Sequence, residues 1–257
     1  MKKCPGHSFG RVPVKLSQIG FSILLGFSAF LLSTGIAGFA NLLADTAGLS
    51  DISVPLPRFE GWRGPAAIFI IGIVPAITEE QLFRGVLLNA WRPLGRAKAV
   101  WLTAILFALL HGNPVVIPSV LVLGYMLGAL SFDTGSVYPA ITVHMTNNIV
   151  SLFLSSFAAK VAPDAAAPAI SAGEILISSA LYTGMGLVFT YLNYKRLMFS
   201  FHMTRQEQTP LPKPDDHEPA DKSRGLTLPV VISLVLLIAL IVLNIFAMSE
   251  AVNLELP

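Results

Sequence analysis

Residues 64–91 read GPAAIFIIGIVPAITEEQLFRGVLLNAW, an apolar run that is long enough to cross a membrane but carries charges near its middle. Each charge at the centre of a membrane helix opposes insertion by about 2.5 to 3.5 kcal/mol. Glu79, Glu80 and Arg84 together therefore oppose it by about 8 to 10 kcal/mol unless they are partnered. Charges of this cost are typical of a functional site inside the bilayer. The alternative is an ion-pair network that only holds helices together.

The composition of the chain is that of a membrane protein. Of its 257 residues, 54% are hydrophobic and 12% are charged, and the mean hydropathy is +0.69. These values exclude an ordinary soluble globular domain. The one cysteine, Cys4, excludes an internal disulfide and a thiolate metal site. We therefore predict an all-α fold, a polytopic transmembrane helical bundle located in the cell membrane.

Apolar runs along the chain predict about seven membrane spans. They cover residues 17–44, 64–91, 99–112, 114–132, 136–159, 171–195 and 227–248. Most of these runs are long enough to cross about 30 Å of hydrocarbon. The run 99–112 is short and has His111 near its end, which predicts that it stops inside the bilayer or turns at a cavity covered by protein or water. Gly124 and Gly128 are four residues apart, which predicts a helix contact within the bundle.

The basic residues predict the orientation of the bundle. They concentrate at the N-terminus, in the loop 92–98 and in the polar stretch 195–224. With seven spans, these three regions fall on the same side of the membrane. The positive-inside rule assigns that side to the cytoplasm. We therefore expect a cytoplasmic N-terminus and a site cavity that opens toward the cytoplasm.

The same reading divides the chain into five parts. Residues 63–160 hold all the polar motifs and form the predicted functional core. An N-terminal transmembrane anchor with an extracytoplasmic loop, 1–62, precedes this core. It is followed by an additional transmembrane helix, 161–202, by a disordered cytoplasmic linker rich in Pro, Asp and Lys, 203–226, and by a C-terminal transmembrane helix, 227–257.

Polar residues of three different runs lie at similar predicted depth. At 1.5 Å per residue, Glu79 and Glu80 lie about 17 Å from the cytoplasmic end of their span and His111 about 19 Å. His144 and Asn148 lie at about 12 to 18 Å. Because polar groups at one level lower the desolvation cost of their neighbours, a shared cavity explains this coincidence. The sequence therefore predicts one site built from three helices.

The spacing of the first motif predicts different roles for its two carboxylates. Glu80 and Arg84 are four residues apart with the acid first, which is the better order for an ion pair on a helix. Glu79 lies about 100° away around the helix, where it faces another element and suits the role of a general base. His111 is placed to orient a water against Glu79. A lone histidine at a helix end is otherwise typical of packing or an interface.

The last motif predicts hydrogen-bond donors. His144 and Asn148 are four residues apart and share one helical face, so their donors can converge on the oxyanion of a tetrahedral intermediate. Asn147 lies close to that face. The alternative for the two amides is hydrogen bonding between helices as part of the packing.

The three motifs together resemble a known family. They read Glu79-Glu80-x-x-x-Arg84, Phe107-x-x-x-His111 and His144-x-x-x-Asn148, in this order and on separate predicted spans. This arrangement resembles the CAAX-processing and bacteriocin-processing (CPBP) intramembrane proteases, which include the type II CAAX prenyl endopeptidases. The resemblance covers residues 63–160, which would then be the protease core.

The resemblance implies an endopeptidase that cleaves a peptide bond within or close to the bilayer. The substrate class stays open among a prenylated CAAX tail, a leader peptide and a segment of a membrane protein. The family pattern implies that Glu79 and His111 activate the water, that His144 and Asn148 form the oxyanion hole, and that Glu80 and Arg84 support Glu79.

Two mechanisms are compatible with this residue set. Family members are commonly labelled metalloproteases, and Glu79, His111 and His144 are a possible two-histidine, one-carboxylate zinc set. The helical His-Glu-x-x-His spacing is absent, and the same residues work without metal through a glutamate-activated water. We favour a mechanism without a cofactor, with zinc as the alternative.

Two other functional classes remain as alternatives. One is a non-catalytic membrane scaffold of the same fold, as a resistance or immunity protein would be. The other is a proton-coupled transporter, in which buried Glu, His and Arg relay protons. The predicted partners are a membrane-associated peptide or protein substrate and the lipid bilayer. No nucleic acid is expected, and the sequence sets no oligomeric state.

Overall fold

The computed structural model describes residues 13–48, 62–161 and 171–208, and these residues form helices joined by short connections. The predicted all-α fold is thereby confirmed for this part of the chain. The helices are α1 (Leu16–Thr46), α2 (Arg63–Leu94), α3 (Arg96–Leu110), α4 (Ile117–Thr134), α5 (Tyr138–Val161) and α6 (Ala172–Gln208).

Helix α2 carries the two carboxylates and is irregular on both sides of them. Two π-helical segments, Ile68–Ile73 and Gln81–Leu87, flank the α-helical turn Val74–Glu80. Pro75 lies in that turn and lacks the N–H that would bond back to the preceding turn. π-Helical turns within a helix are frequent at functional sites. Here they lie directly before and after the segment that presents Glu79 and Glu80.

Four helices are long and apolar enough to cross a membrane: α1, α2, α4 and α6. Helix α3 has 15 residues, or about 22 Å, which is short of a full span. Helix α5 has 24 residues, but its polar side chains lower its hydropathy. The predicted count of seven spans stays a prediction, and its last run, 227–248, lies outside the described residues.

The helices bury two apolar clusters. One joins α2, α3 and α4 and includes Phe83, Leu87 and Phe107. The other joins α1, α4, α5 and α6 and includes Leu127 and Leu197. The site helices α2 and α5 are therefore each packed against rigid neighbours.

The glycine pair of α4 packs inside the bundle as predicted. A Cβ added at Gly124 would lie 3.0 Å from the Phe107 ring, and one at Gly128 would lie 3.3 Å from Val100. Both contacts are with α3. The small residues therefore allow α3 and α4 to approach closely.

Polar contacts hold the same end of several helices together. Arg96 at the start of α3 forms two hydrogen bonds of 2.7 Å with Asp133 at the end of α4. Tyr194 of α6 donates to the same carboxylate at 2.8 Å. Gln18 of α1 donates to Thr204 of α6 at 3.3 Å. The start of α1, the start of α3 and the end of α6 therefore meet at one end of the described bundle, and the cytoplasmic location of this end stays a prediction.

One predicted boundary needs correction. Helix α6 continues to Gln208, so the first residues of the predicted linker 203–226 are helical. The linker begins at Met203 in the prediction because Pro, Asp and Lys dominate the stretch after it. Residues 203–208 themselves contain neither proline nor glycine, and nothing in them stops the helix. The remainder of the linker lies outside the described residues.

Candidate active site

The four predicted catalytic side chains line one cavity of about 300 Å³. Glu79 comes from α2, His111 directly follows α3, and His144 and Asn148 come from α5. The rest of the lining is formed by Ile71, Pro75, Asn147, Ser151 and Leu152. Residues that are far apart in the sequence thus meet in one concave place that is lined by six polar and three apolar side chains.

Glu80 and Arg84 form a fully buried ion pair on α2. The Arg84 Nη1 donates to Glu80 Oε1 at 2.7 Å, and both side chains are 0% exposed. Arg84 Nη2 donates to the Gly124 carbonyl oxygen of α4 at 2.9 Å. The guanidinium therefore neutralises Glu80 and joins α2 to α4.

Phe107 contacts the Arg84 guanidinium and the imidazoles of both site histidines. The Arg84 guanidinium lies 4.5 Å from the centre of the Phe107 ring, a cation–π distance. The ring meets His111 and His144 edge to face, at centroid distances of 5.0 and 5.6 Å. Phe107 therefore fixes the positions of both imidazoles by contact.

His144 is held by a carboxylate from the first motif. Its Nδ1 lies 2.9 Å from Glu80 Oε1, and its Nε2 lies 4.0 Å from Glu79 Oε2. The Glu80 carboxylate already accepts from Arg84 at the same oxygen, so we assign the donated hydrogen of this contact to His144 Nδ1. Nε2 then lies toward Glu79 on the cavity side. The sequence did not reveal this contact, since it depends on how α2 and α5 are rotated toward each other.

His111 is fixed by the end of its own helix. Its Nδ1 lies 2.9 Å from the carbonyl oxygen of Phe107, which can only accept, so Nδ1 donates. Gly112 follows with a φ of +66°, a left-handed conformation that ends α3 at this point. Nε2 of a neutral His111 is thereby left as an acceptor.

Asn147 and Asn148 form a pair on α5. Asn147 Nδ2 donates to Asn148 Oδ1 at 3.2 Å, which leaves the Asn148 Nδ2 group as a donor for another partner. Both side chains line the cavity and are half-buried. The i+3 spacing from His144 placed Asn147 near this face but did not predict its contact with Asn148.

Glu79 has the least satisfied carboxylate of the site. Its side chain is 26% exposed, and its Oε2 is buried without a hydrogen-bond partner among the described residues. A carboxylate oxygen enclosed in this way needs a donor such as a water molecule. The exposed part of the Glu79 side chain lies at the cavity that it lines.

In their described positions, the side chains of Glu79, His111 and His144 do not form a zinc site. No three His, Cys, Asp or Glu side chains in the described ranges are arranged to hold a metal. Two donors on one tetrahedral zinc lie about 3.3 Å apart, whereas His144 Nε2 and Glu79 Oε2 are 4.0 Å apart. The donor set of Glu79, His111 and His144 therefore lacks the geometry of a metal centre.

A comparison with known protein families identifies the region that carries the site. Residues 61–150 match the family described as type II CAAX prenyl endopeptidase Rce1-like. The match contains α2, α3, α4 and the first half of α5, and hence all three motifs. No curated protein and no solved structure matches the chain. The family match confirms the resemblance seen in the motifs, and residues 61–150 are similar to this endopeptidase family.

Proposed function

We propose that this protein is an intramembrane endopeptidase that hydrolyses a peptide bond of a membrane-associated or lipidated substrate with a water activated by Glu79 and His111. The observation that carries the proposal is the shared cavity, in which side chains from three helical segments meet. Its position within a domain of a peptidase family supports the same activity.

Glu79 is the general base of the proposed reaction. Its side chain lines the cavity and is 26% exposed, so its carboxylate can accept a proton from a water there. His111 accepts the second hydrogen of that water at Nε2, because its Nδ1 donates to Phe107. Two acceptors on one water direct its oxygen lone pair toward the substrate carbonyl carbon.

Asn148 and His144 stabilise the oxyanion. Asn147 donates to Asn148 Oδ1, which orients the amide so that its Nδ2 group can donate to the oxyanion. His144 donates from Nε2 only when both of its ring nitrogens carry protons. Its two carboxylate neighbours, Glu80 at Nδ1 and Glu79 near Nε2, bear the charge opposite to such an imidazolium. Donors aimed at a developing negative charge are commonly a large part of catalysis.

Glu80 and Arg84 act on the site through His144. The carboxylate fixes the His144 ring, and the Arg84 guanidinium supplies the counter-charge of that carboxylate. The helices of membrane length agree with a substrate segment that lies in the bilayer. The proposed location is the cell membrane, with a cavity that opens toward the cytoplasm.

The test is cleavage of a quenched fluorescent lipopeptide library by the purified full-length protein in detergent. We expect the wild type to cleave, and Glu79→Ala and His111→Ala to show only background. His202→Ala, an exposed histidine of α6, is the matched control and should cleave like the wild type. Equal signals from the wild type and the two site variants would refute the proposal.

The match to an endopeptidase family supports a peptidase over the two alternatives raised by the sequence. A scaffold, such as an immunity protein, would retain its biological effect in Glu79→Ala. A proton-coupled transporter would depend on a gradient across the membrane, whereas the proposed hydrolysis proceeds in detergent without one.

A further inference from the structure

A second cavity, of about 580 Å³, lies between the start of α1 and the end of α6. Its lining combines cations, hydroxyl groups and aromatic rings: Lys15 and Arg196, Ser17 and Ser200, and Phe21 and Phe199. None of these residues lies within the family match at 61–150. The cavity therefore belongs to the accessory helix pair α1 and α6 and is separate from the proposed catalytic site.

Charge placement puts this cavity at the edge of the hydrocarbon layer. Residues 175–194 of α6 carry no charged side chain. A helical stretch of this length measures about 30 Å, the thickness of the hydrocarbon core. Lys195 and Arg196 follow it directly, and Lys15 directly precedes the apolar helix α1. Both cations of the cavity therefore lie where lipid headgroups begin.

The lining matches an amphipathic anion. Lysine and arginine both bind phosphate, and serine hydroxyls add hydrogen-bond donors. The positive end of the α1 dipole lies beside them. Phe199 is 66% exposed next to these polar groups and offers an apolar surface to an acyl chain. A free inorganic anion has no apolar part that could pack against this surface.

We propose that this cavity binds the phosphate headgroup of an anionic phospholipid, with Lys15 and Arg196 on the phosphate and the aromatic rings against the lipid backbone and acyl chain. The proposal rests on the membrane location of the helices, but not on peptidase activity. Because Lys15 belongs to α1 and Arg196 to α6, the lipid stabilises the contact between these two helices. The Gln18–Thr204 hydrogen bond lies at the same end of the pair.

The test is the thermal unfolding of the full-length protein in zwitterionic detergent with three added probes. These are dioctanoyl phosphatidylglycerol, dioctanoyl phosphatidylcholine and inorganic phosphate. We expect only phosphatidylglycerol to raise the unfolding temperature of the wild type. Lys15→Gln and Arg196→Gln each lower its apparent affinity about fivefold, and the double variant lowers it by roughly 30-fold.

Lys195→Gln is the matched control. Lys195 is adjacent to Arg196 in sequence, but its Nζ lies over the Tyr191 ring at 4.6 Å and it does not line the cavity. This variant should keep the wild-type affinity. An equal loss in Lys195→Gln, an equal effect of phosphatidylcholine, or the full effect from inorganic phosphate would each overturn the proposal. If the double variant does not fold, the two single variants decide the question.

Discussion

Glu80 Oε1 accepts hydrogen bonds from two different motifs, one from Arg84 Nη1 at 2.7 Å and one from His144 Nδ1 at 2.9 Å. The first bond lies within α2, and the second joins α2 to α5. A single buried carboxylate oxygen therefore links the charge balance of the interior to the orientation of a proposed oxyanion donor. We therefore expect Glu80 to contribute to both stability and the proposed activity.

Glu80→Gln should destabilise the fold and reduce peptide cleavage. The substitution leaves the Arg84 guanidinium buried without its counter-charge, and such a change typically costs about 3 to 5 kcal/mol. It also replaces the carboxylate that contacts His144 Nδ1 with a neutral amide. Thermal unfolding and peptide cleavage, measured on the same preparation, test both effects.

The double variant Glu80→Gln/Arg84→Met separates the two effects. It removes both buried charges, so we expect it to be more stable than Glu80→Gln alone. Its rate of peptide cleavage should stay low because His144 Nδ1 still lacks the Glu80 carboxylate. Recovery of activity together with stability would show that the Glu80–His144 bond has no role in the reaction.

Asn148→Ala should lower kcat by about 10²- to 10³-fold with little change in KM, as expected for the loss of one oxyanion donor. Asn147→Ala should lower kcat by only about fivefold, because it removes one neutral hydrogen bond that orients Asn148. Steady-state kinetics on one cleaved peptide test this order. A larger loss in Asn147→Ala than in Asn148→Ala would reverse the assigned roles.

Gly124→Ala should destabilise the protein by about 1 to 3 kcal/mol, as overpacking does. The added Cβ would lie 3.0 Å from Phe107, the ring that contacts Arg84 and both site histidines. Gly184→Ala in α6 is the control, since nothing lies within 4 Å of its added Cβ. It should raise stability by about 0.5 to 1 kcal/mol, because alanine favours helix more than glycine does. Thermal unfolding compares the two, and equal effects would contradict the packing described for α3 and α4.

Strong chelation should leave cleavage intact in protein that is still folded. The described side chains form no metal centre, and the proposed water is activated by Glu79 and His111. The measurement is the cleavage rate before and after dialysis against a chelator, with unfolding temperature as the control. Loss of activity that only zinc restores would replace this mechanism with a metal-dependent one.

Much of the site was predictable because the spacing of residues along one helix determines the relative positions of their side chains. The i, i+4 spacing of Glu80 and Arg84 predicts their ion pair, which the structure shows at 2.7 Å. Equal depth along the spans predicts a shared location for Glu79, His111 and His144, which line one cavity. Both predictions need only the rise and the turn of an α-helix.

The contacts between helices were not predictable from these spacings. The bond between His144 and Glu80 depends on how two helices rotate about their axes, which spacing along one helix does not contain. The ion pair of Arg96 with Asp133 likewise joins the ends of separate helices. The π-helical segments of α2 also change which residues share a face, and only Pro75 indicated an irregularity there.

The most direct test of the account is kcat/KM for a cleaved lipopeptide with the wild type, Glu79→Gln and Glu174→Gln. Glu174 is an exposed carboxylate at the start of α6, outside the family match, and serves as the control. We expect Glu79→Gln to stay folded and to lose about 10²- to 10⁴-fold in kcat/KM, while Glu174→Gln keeps the wild-type value. Wild-type kcat/KM in Glu79→Gln would contradict the central claim that Glu79 activates the water.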